Sequence, residues 1–243
     1  MTALQKIADA IVDETGRQGT PERAEKEKEY LKSELEHLGT KVPLIRKTTT
    51  KWVRSERLDR EGVLALVGLL WERPIHESRS AAVEALRFQT KDLLAEDLPY
   101  VEQLIRESKT WALVDNLAVR ITGDLVERHP KLLKTLDRWA KDEDFWVRRS
   151  AMLALLLPLR DGEGDFERFS RYADAMLDEK EFFIRKSIGW VLRETSKKRP
   201  ELVYDWLKPR AERASGVTMR EAVRYLPDDQ RLELMEIYRN RQK

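Results

Sequence analysis

Apolar residues recur at three- and four-residue intervals along most of the chain, and glycine and proline fall between these stretches. Val114, Ala118, Ile121 and Leu125 form one such stripe, and Ile184, Ile188, Val191 and Thr195 form another. This spacing gives a helix one apolar face to bury against a core. No convincing stretch alternates apolar and polar residues as a half-buried strand would, and no Asn-Gly turn signals a hairpin. The pattern predicts an all-α protein. Breakers at residues 39–43, Pro74, Pro130, 161–164, Pro200 and Pro227 divide it into about a dozen helices of roughly 10–18 residues. The stretch SKTWALVDNLAVR, residues 108–120, reads as one of these helices.

Several stretches also resemble one another: RSAAVEAL from Arg79, RRSAMLAL from Arg148, RKSIGWVL from Arg185 and, more weakly, MREAVRYL from Met219. The first three arginines lie 69 and 37 residues apart, and 69 is close to two periods, with the Trp111 helix filling the gap. A period of about 35 residues with two helices per unit predicts an α-solenoid of HEAT type: one domain over residues 1–243, built from stacked helix pairs with one concave face.

Aligning the repeats gives Asp115, Arg149 and Lys186 equivalent places on the second helices of three units, predicting that they line up along the concave face. Trp111 lies one helical turn before Asp115, and Trp190 one turn after Lys186. Trp190 projects more than about 100° from the centre of the 184–195 apolar stripe, so core packing explains it poorly. Trp111 flanks its own stripe and reads equally as a rim residue. Arg149 stands on a helix that is apolar nearly all round, so its charge needs a partner or a groove.

Net charge is only +2, from 46 basic and 44 acidic residues, but the distribution is uneven. Residues 41–57 hold six basic side chains against one acidic, and residues 185–199 again six against one, whereas 22–36 hold six acidic against four basic. The two basic segments are candidate contacts for a polyanion, or solvated helix faces. With no cysteine, disulfides and thiolate metal sites are excluded. No run of 18 apolar residues exists, and Asp9 and Asp13 interrupt what would be a signal-peptide core, so a soluble, cytoplasmic protein is expected. His37, His76 and His129 are expected in separate helices without metal-ligand spacing, and each reads as a surface or capping residue. No metal site and no cofactor are expected, since phosphate-binding glycine loops and nucleophile elbows are also missing.

The segments WALVDNLAVRITGDLVERHP, FWVRRSAMLALL and EFFIRKSIGWVLRE resemble three segments of the AlkD-type bacterial DNA alkylation repair family. YLKSELEHLGTKVPLIR resembles the family's opening segment in the spacing of Tyr30, Gly39, Pro43 and Arg46, so the similarity spans about residues 25–205. It implies a HEAT-like-repeat DNA glycosylase. Residue by residue, Trp111 and Trp190 match lesion-facing tryptophans, Asp115 the catalytic aspartate, and Arg149 an arginine that binds DNA beside the lesion. Tyr30 matches a tyrosine near the same cleft, although ELEH replaces the aromatic and apolar pattern usual before the Leu-Gly. Arg148 and Lys186 join Arg149 and Tyr30 as DNA-binding candidates.

The resemblance further implies removal of cationic N3- and N7-alkylated purines from duplex DNA without base flipping, by a monomer associated with the bacterial nucleoid. It gives Lys186 no nucleophilic role, which favours a monofunctional enzyme. The chemistry is consistent with the residue set. A base already positively charged leaves without protonation, so a carboxylate and aromatic faces beside the oxocarbenium-like sugar suffice. The other readings are a non-catalytic HEAT-repeat protein that binds damaged or branched DNA, and a protein-interaction scaffold.

Overall fold

Hydrogen bonds between successive helices recur at the separation that the repeats predict. Arg60 reaches Asp97 37 residues on, and Trp71 reaches Glu107 36 residues on. Further along, Trp206 bonds Ser170 at a separation of 36, Arg210 bonds Asp174 at 36 and Lys186 bonds Glu221 at 35. Each pair joins equivalent places in neighbouring repeats, so the period seen in the sequence is the stacking period of the helices.

The computed structural model describes residues 1–241. It is all-α: among the described residues no strand forms, and one isolated parallel bridge joins Glu36 to Ile75. The chain divides into two units, Met1–Leu125 and Val126–Lys243. The first contains α1 (Ala3–Gly16), α2 (Pro21–Leu31), α3 (Val42–Ser55), α4 (Arg60–Trp71), α5 (His76–Phe88), α6 (Leu98–Ser108) and α7 (Trp111–Asn116), and α8 (Gly123–Arg128) runs across the boundary. The second contains α9 (Leu133–Trp139), α10 (Phe145–Leu153), α11 (Leu156–Arg160), α12 (Phe166–Met176), α13 (Phe182–Ser196), α14 (Pro200–Leu207), α15 (Gly216–Ala222) and α16 (Asp228–Asn240). The helices are shorter and more numerous than the breakers suggested, because 3-10 turns subdivide them. No helix of the described chain is long and apolar enough to cross a membrane.

In the first unit α5 packs against α3, α4 and α7, and in the second α13 packs against α10, α11 and α15. The apolar stripes form these contacts: Val114, Ala118, Ile121 and Leu125 are fully buried, as are Ile184, Ile188 and Val191. In the second unit the repeated sequence also sets where helices start. Asp144 precedes FWVRRS and accepts a hydrogen bond from the Trp146 amide, and Glu181 precedes FFIRKS and accepts one from Phe183. These N-caps satisfy amides that the first helical turn leaves unpaired.

Helix α2 differs from the rest because none of its residues is buried. It is held at its N-terminus, where the Thr20 side chain caps it and the 38–40 connection passes close by. Gly39 has φ of +76°, and a Cβ there would collide with the Thr20 carbonyl and approach the Ala24 amide nitrogen to 2.7 Å. Gly39→Ala is therefore expected to lower stability by roughly 1–3 kcal/mol from backbone strain, with the collision adding to it. A chemical denaturation midpoint unchanged from wild type would show that the connection can move away from α2.

Candidate functional site

The helix carrying Trp111 and Asp115 begins later than the sequence suggests. Ser108 ends α6, Lys109 turns left-handed at φ 48°, and Thr110 caps α7 by accepting from the Ala112 amide. Residues 108–120 are thus two helices meeting at a sharp corner, since a left-handed residue cannot continue α-helical hydrogen bonding. Trp111 becomes the first residue of α7, and Asp115 follows one turn later on the same side. Both are half-buried. The ring of Tyr30, on α2, meets Trp111 edge-on, with centroids 6.0 Å apart and planes at 87°. Tyr30 is 73% exposed, so this aromatic pair lies at the surface. The structure therefore brings together Tyr30, Trp111 and Asp115 within the first unit.

Immediately after Asp115 and Asn116 the helix widens. Residues 117–122 follow π-helical geometry before α8 resumes the ordinary pitch. A π turn shifts every later side chain around the axis, and such turns are frequent at functional sites. Leu117, Ala118, Ile121 and Thr122 are all fully buried here, which anchors the turn below the carboxylate.

The second unit groups Arg149 with Trp190. Arg149 is 3% exposed, and its Nη1 donates to the Phe183 carbonyl at 2.6 Å. Its guanidinium lies 5.9 Å from the Phe183 ring and 6.0 Å from the Trp190 ring. Trp190 is half-buried and off the apolar stripe, as its wheel position predicts. The partner that Arg149 requires thus includes a carbonyl at the start of α13 and two aromatic faces. Arg149→Ala should strip this carbonyl of its partner and cost about 1–3 kcal/mol, measured by urea denaturation. An unaltered midpoint would mean that the guanidinium does not hold α13.

Arg148 and Lys186 also engage protein groups. Arg148 pairs with both carboxylate oxygens of Glu179, at 3.1 and 2.8 Å, and donates to the carbonyls of Asp142 and Glu143. Lys186 bonds Glu221 at 2.5 Å and is partly exposed. The neighbouring cations in residues 185–199 are similarly engaged: Arg185 donates to the Glu179 carbonyl, Arg193 pairs with Glu194 and Glu221, Lys197 pairs with Glu194, and Arg199 donates to the Glu163 carbonyl. The bonds of Arg148 to Glu179, of Lys186 and Arg193 to Glu221 and of Arg199 to Glu163 hold repeats together and the others are local, so the second basic segment offers less positive potential than its composition suggests.

The first basic segment remains outward-facing. Lys41, Lys47, Lys51 and Arg54 are exposed, and Pro43, Arg46, Lys47, Thr50, Lys51 and Arg54 line a surface depression of about 370 Å³. Arg46 is bound through two nitrogens to Glu84, and Lys51 to Glu14 at 2.9 Å. The Lys51 hydrogen bond and charge hold the Glu14 carboxyl below its ordinary pKa.

This arrangement, an aromatic pair at the surface with a carboxylate one helical turn from its indole, in an all-helical repeat chain with an outward-facing basic segment, accords with the sequence comparisons. A model of the DNA alkylation repair enzyme family matches residues 11–226. The chain belongs to that family. No curated protein matches the sequence. Among solved structures, a predicted DNA alkylation repair enzyme from Enterococcus faecalis is 23% identical, with a TM-score of 0.78 over 87% of this chain and 98% of that one. AlkD2 from Streptococcus mutans is 18% identical, with a TM-score of 0.64 over 92% and 99% of the two chains. At these identities the likeness extends to the fold, which is that of AlkD-type helical repeat proteins.

Two features of this family member escaped sequence reasoning. One is an aromatic cluster in which Phe183 stacks parallel to Phe145 at 6.3 Å and lies 4.7 Å from Trp146, with Phe182 beside it and exposed. Its signal was present in the paired aromatics of DFWVRRS and EFFIRKS, which the 35-residue period superposes. The other concerns the histidines, which do not behave as surface or capping residues throughout. His37 and His76 are 9% and 8% exposed and stack at 4.5 Å with planes 5° apart. The cause is the Glu36–Ile75 bridge: Glu36 donates to the Pro74 carbonyl and accepts from the His76 amide, both at 2.8 Å, which sets the two imidazoles face to face. His129 is half-buried beside Arg128.

Proposed function

We propose that this DNA alkylation repair enzyme is a monofunctional DNA glycosylase that hydrolyses the N-glycosidic bond of cationic N3- and N7-alkylated purines in duplex DNA. The observation that carries the reading is the half-buried carboxylate of Asp115, one turn from a half-buried indole that Tyr30 extends to the surface. Departure of an alkylpurine transfers its positive charge to the sugar: the glycosidic electron pair leaves with the base, which becomes neutral, and C1′ becomes electron-poor. Negative potential beside that carbon lowers the barrier, and a carboxylate fixed in a partly desolvated setting supplies it without reorganising. Asp115 also orients the water whose oxygen bonds to C1′, and the water's proton passes to the carboxylate or to solvent. The Trp111 face stabilises the cationic sugar and base by cation–π attraction.

In the second unit, Trp190 offers a further aromatic face to the DNA, and the buried Arg149 beneath it fixes its orientation. Lys47, Lys51 and Arg54 bind the DNA backbone, which offsets the repulsion between Asp115 and a polyanion. The exposed position of the Tyr30–Trp111 pair suits reading of a lesion that remains stacked in the duplex, in contrast with enzymes that extrude the base into a pocket.

The deciding experiment incubates the protein with methylated duplex DNA and measures free 7-methylguanine and 3-methyladenine, together with strand breaks at the resulting abasic sites. Base release with strands intact until alkali is added is expected. Tight binding of the duplex without base release would make the chain a non-catalytic DNA-binding member of the family, and strand cleavage by the protein itself would assign Lys186 or another amine a lyase role.

A further inference from the structure

The first unit contains a buried polar cluster that the repair chemistry does not use. Ligand atoms of Glu27, His37 and Glu77 all lie within 4.8 Å of one another. Neither ring nitrogen of the buried His37 has a hydrogen-bond partner, nor does Nδ1 of the neighbouring His76. A buried imidazole without partners loses its hydration and receives nothing in exchange, which makes it rare in folded chains. We propose that Glu27, His37 and Glu77 bind one divalent transition-metal ion of the zinc class, with solvent completing its coordination.

The donor set suits such an ion. One imidazole nitrogen with two carboxylates is a borderline to hard set that zinc accepts with tetrahedral geometry. Glu77 is fixed in place by three amides: Leu38 donates to one oxygen, and Gly39 and Thr40 to the other, at 2.7–3.1 Å. Glu27 has Arg23 on Oε1 and keeps its second oxygen. An entry route exists, because a surface cavity of about 560 Å³ lined by Ala24, Lys28, Glu34, Glu36 and Pro74 opens onto His37. The ion would draw the three ligands about an ångström closer, to the separations of a tetrahedral site with bonds of roughly 2.0–2.2 Å.

The consequence is mechanical. Glu27 stands on α2, the helix with no buried residue, while Glu77 belongs to α5 and His37 to the connection from α2 to α3. A shared ion ties α2 to the body of the unit and with it Tyr30, which lies three residues beyond Glu27.

The test uses the full chain after dialysis against EDTA and zinc chloride alone as the probe. Titration calorimetry and elemental analysis after gel filtration should give one zinc per chain, and the melting temperature should rise with zinc concentration. Glu27→Gln and His37→Gln should each weaken zinc binding by about 10-fold or more, whereas His129→Gln should not. Glu27→Gln alters an exposed helix without core contacts, so its fold, checked by circular dichroism, serves as the control for His37→Gln. Absence of stoichiometric zinc at about 100 times the protein's micromolar working concentration, or zinc binding equally strong in both variants, overturns the proposal.

Discussion

Replacing Asp115 with asparagine is expected to slow release of 7-methylguanine in single-turnover reactions by about 10- to 1000-fold, the range found when one preorganised electrostatic group is removed. Asparagine retains the size of aspartate and can still hydrogen-bond, so the change isolates the charge. Duplex affinity should hold or increase, because a negative charge has left the surface that meets a polyanion. A structural aspartate would give the opposite pattern, with the rate near wild type and the melting temperature depressed through loss of an ionic partner. Measuring both quantities on one variant separates the two, and base release at the wild-type rate would remove the carboxylate from the mechanism. Lower KM with lower kcat would add that Asp115 strains the bound lesion.

DNA binding should fall steeply with salt, and the first basic segment should carry much of the slope. Each phosphate neutralised contributes about 0.9 to the decrease of log K with log salt. The variant K47Q/K51Q/R54Q removes three exposed charges from α3, so the slope should become shallower by up to about 2.7, and affinity near 100 mM salt should fall by about 10- to 100-fold. Substituting Arg148, Arg193 and Lys197 with glutamine should instead lower stability, because their donors already serve Glu179, Glu194 and Glu221. Equal salt slopes for the wild-type and α3 variants would exclude this face as the DNA-binding surface.

The contrast between the two basic segments marks the limit of a linear reading. Both have six cations against one anion. In α3, Lys47, Lys51 and Arg54 are exposed, although Lys51 also pairs with Glu14 and Arg46 is bound to Glu84. In and just after α13 several meet groups that folding brings up from elsewhere in the chain: Arg199 reaches the Glu163 carbonyl 36 residues away, and Glu221 lies 35 residues from Lys186 and 28 from Arg193. A charge count cannot see neighbours that only stacking provides.

The sequence by itself determined what depends on local geometry and repetition. Helical periodicity gave the class, and the recurrence of RSAAVEAL-like segments gave the stacking distance. Four-residue spacing put Trp111 and Asp115 on one side of a helix and set Trp190 off its buried stripe. Other features needed the folded chain. The left-handed Lys109 splits one apparent helix in two, and the π turn after Asn116 follows no pattern in residue type. Arg149 finds the Phe183 carbonyl 34 residues on, and Tyr30 reaches Trp111 from a helix of another repeat. His37 and His76 stack because one backbone bridge aligns the residues before them. Local spacing is fixed by bonded geometry that every chain shares, whereas these contacts depend on which side chains the packing of distant helices leaves face to face.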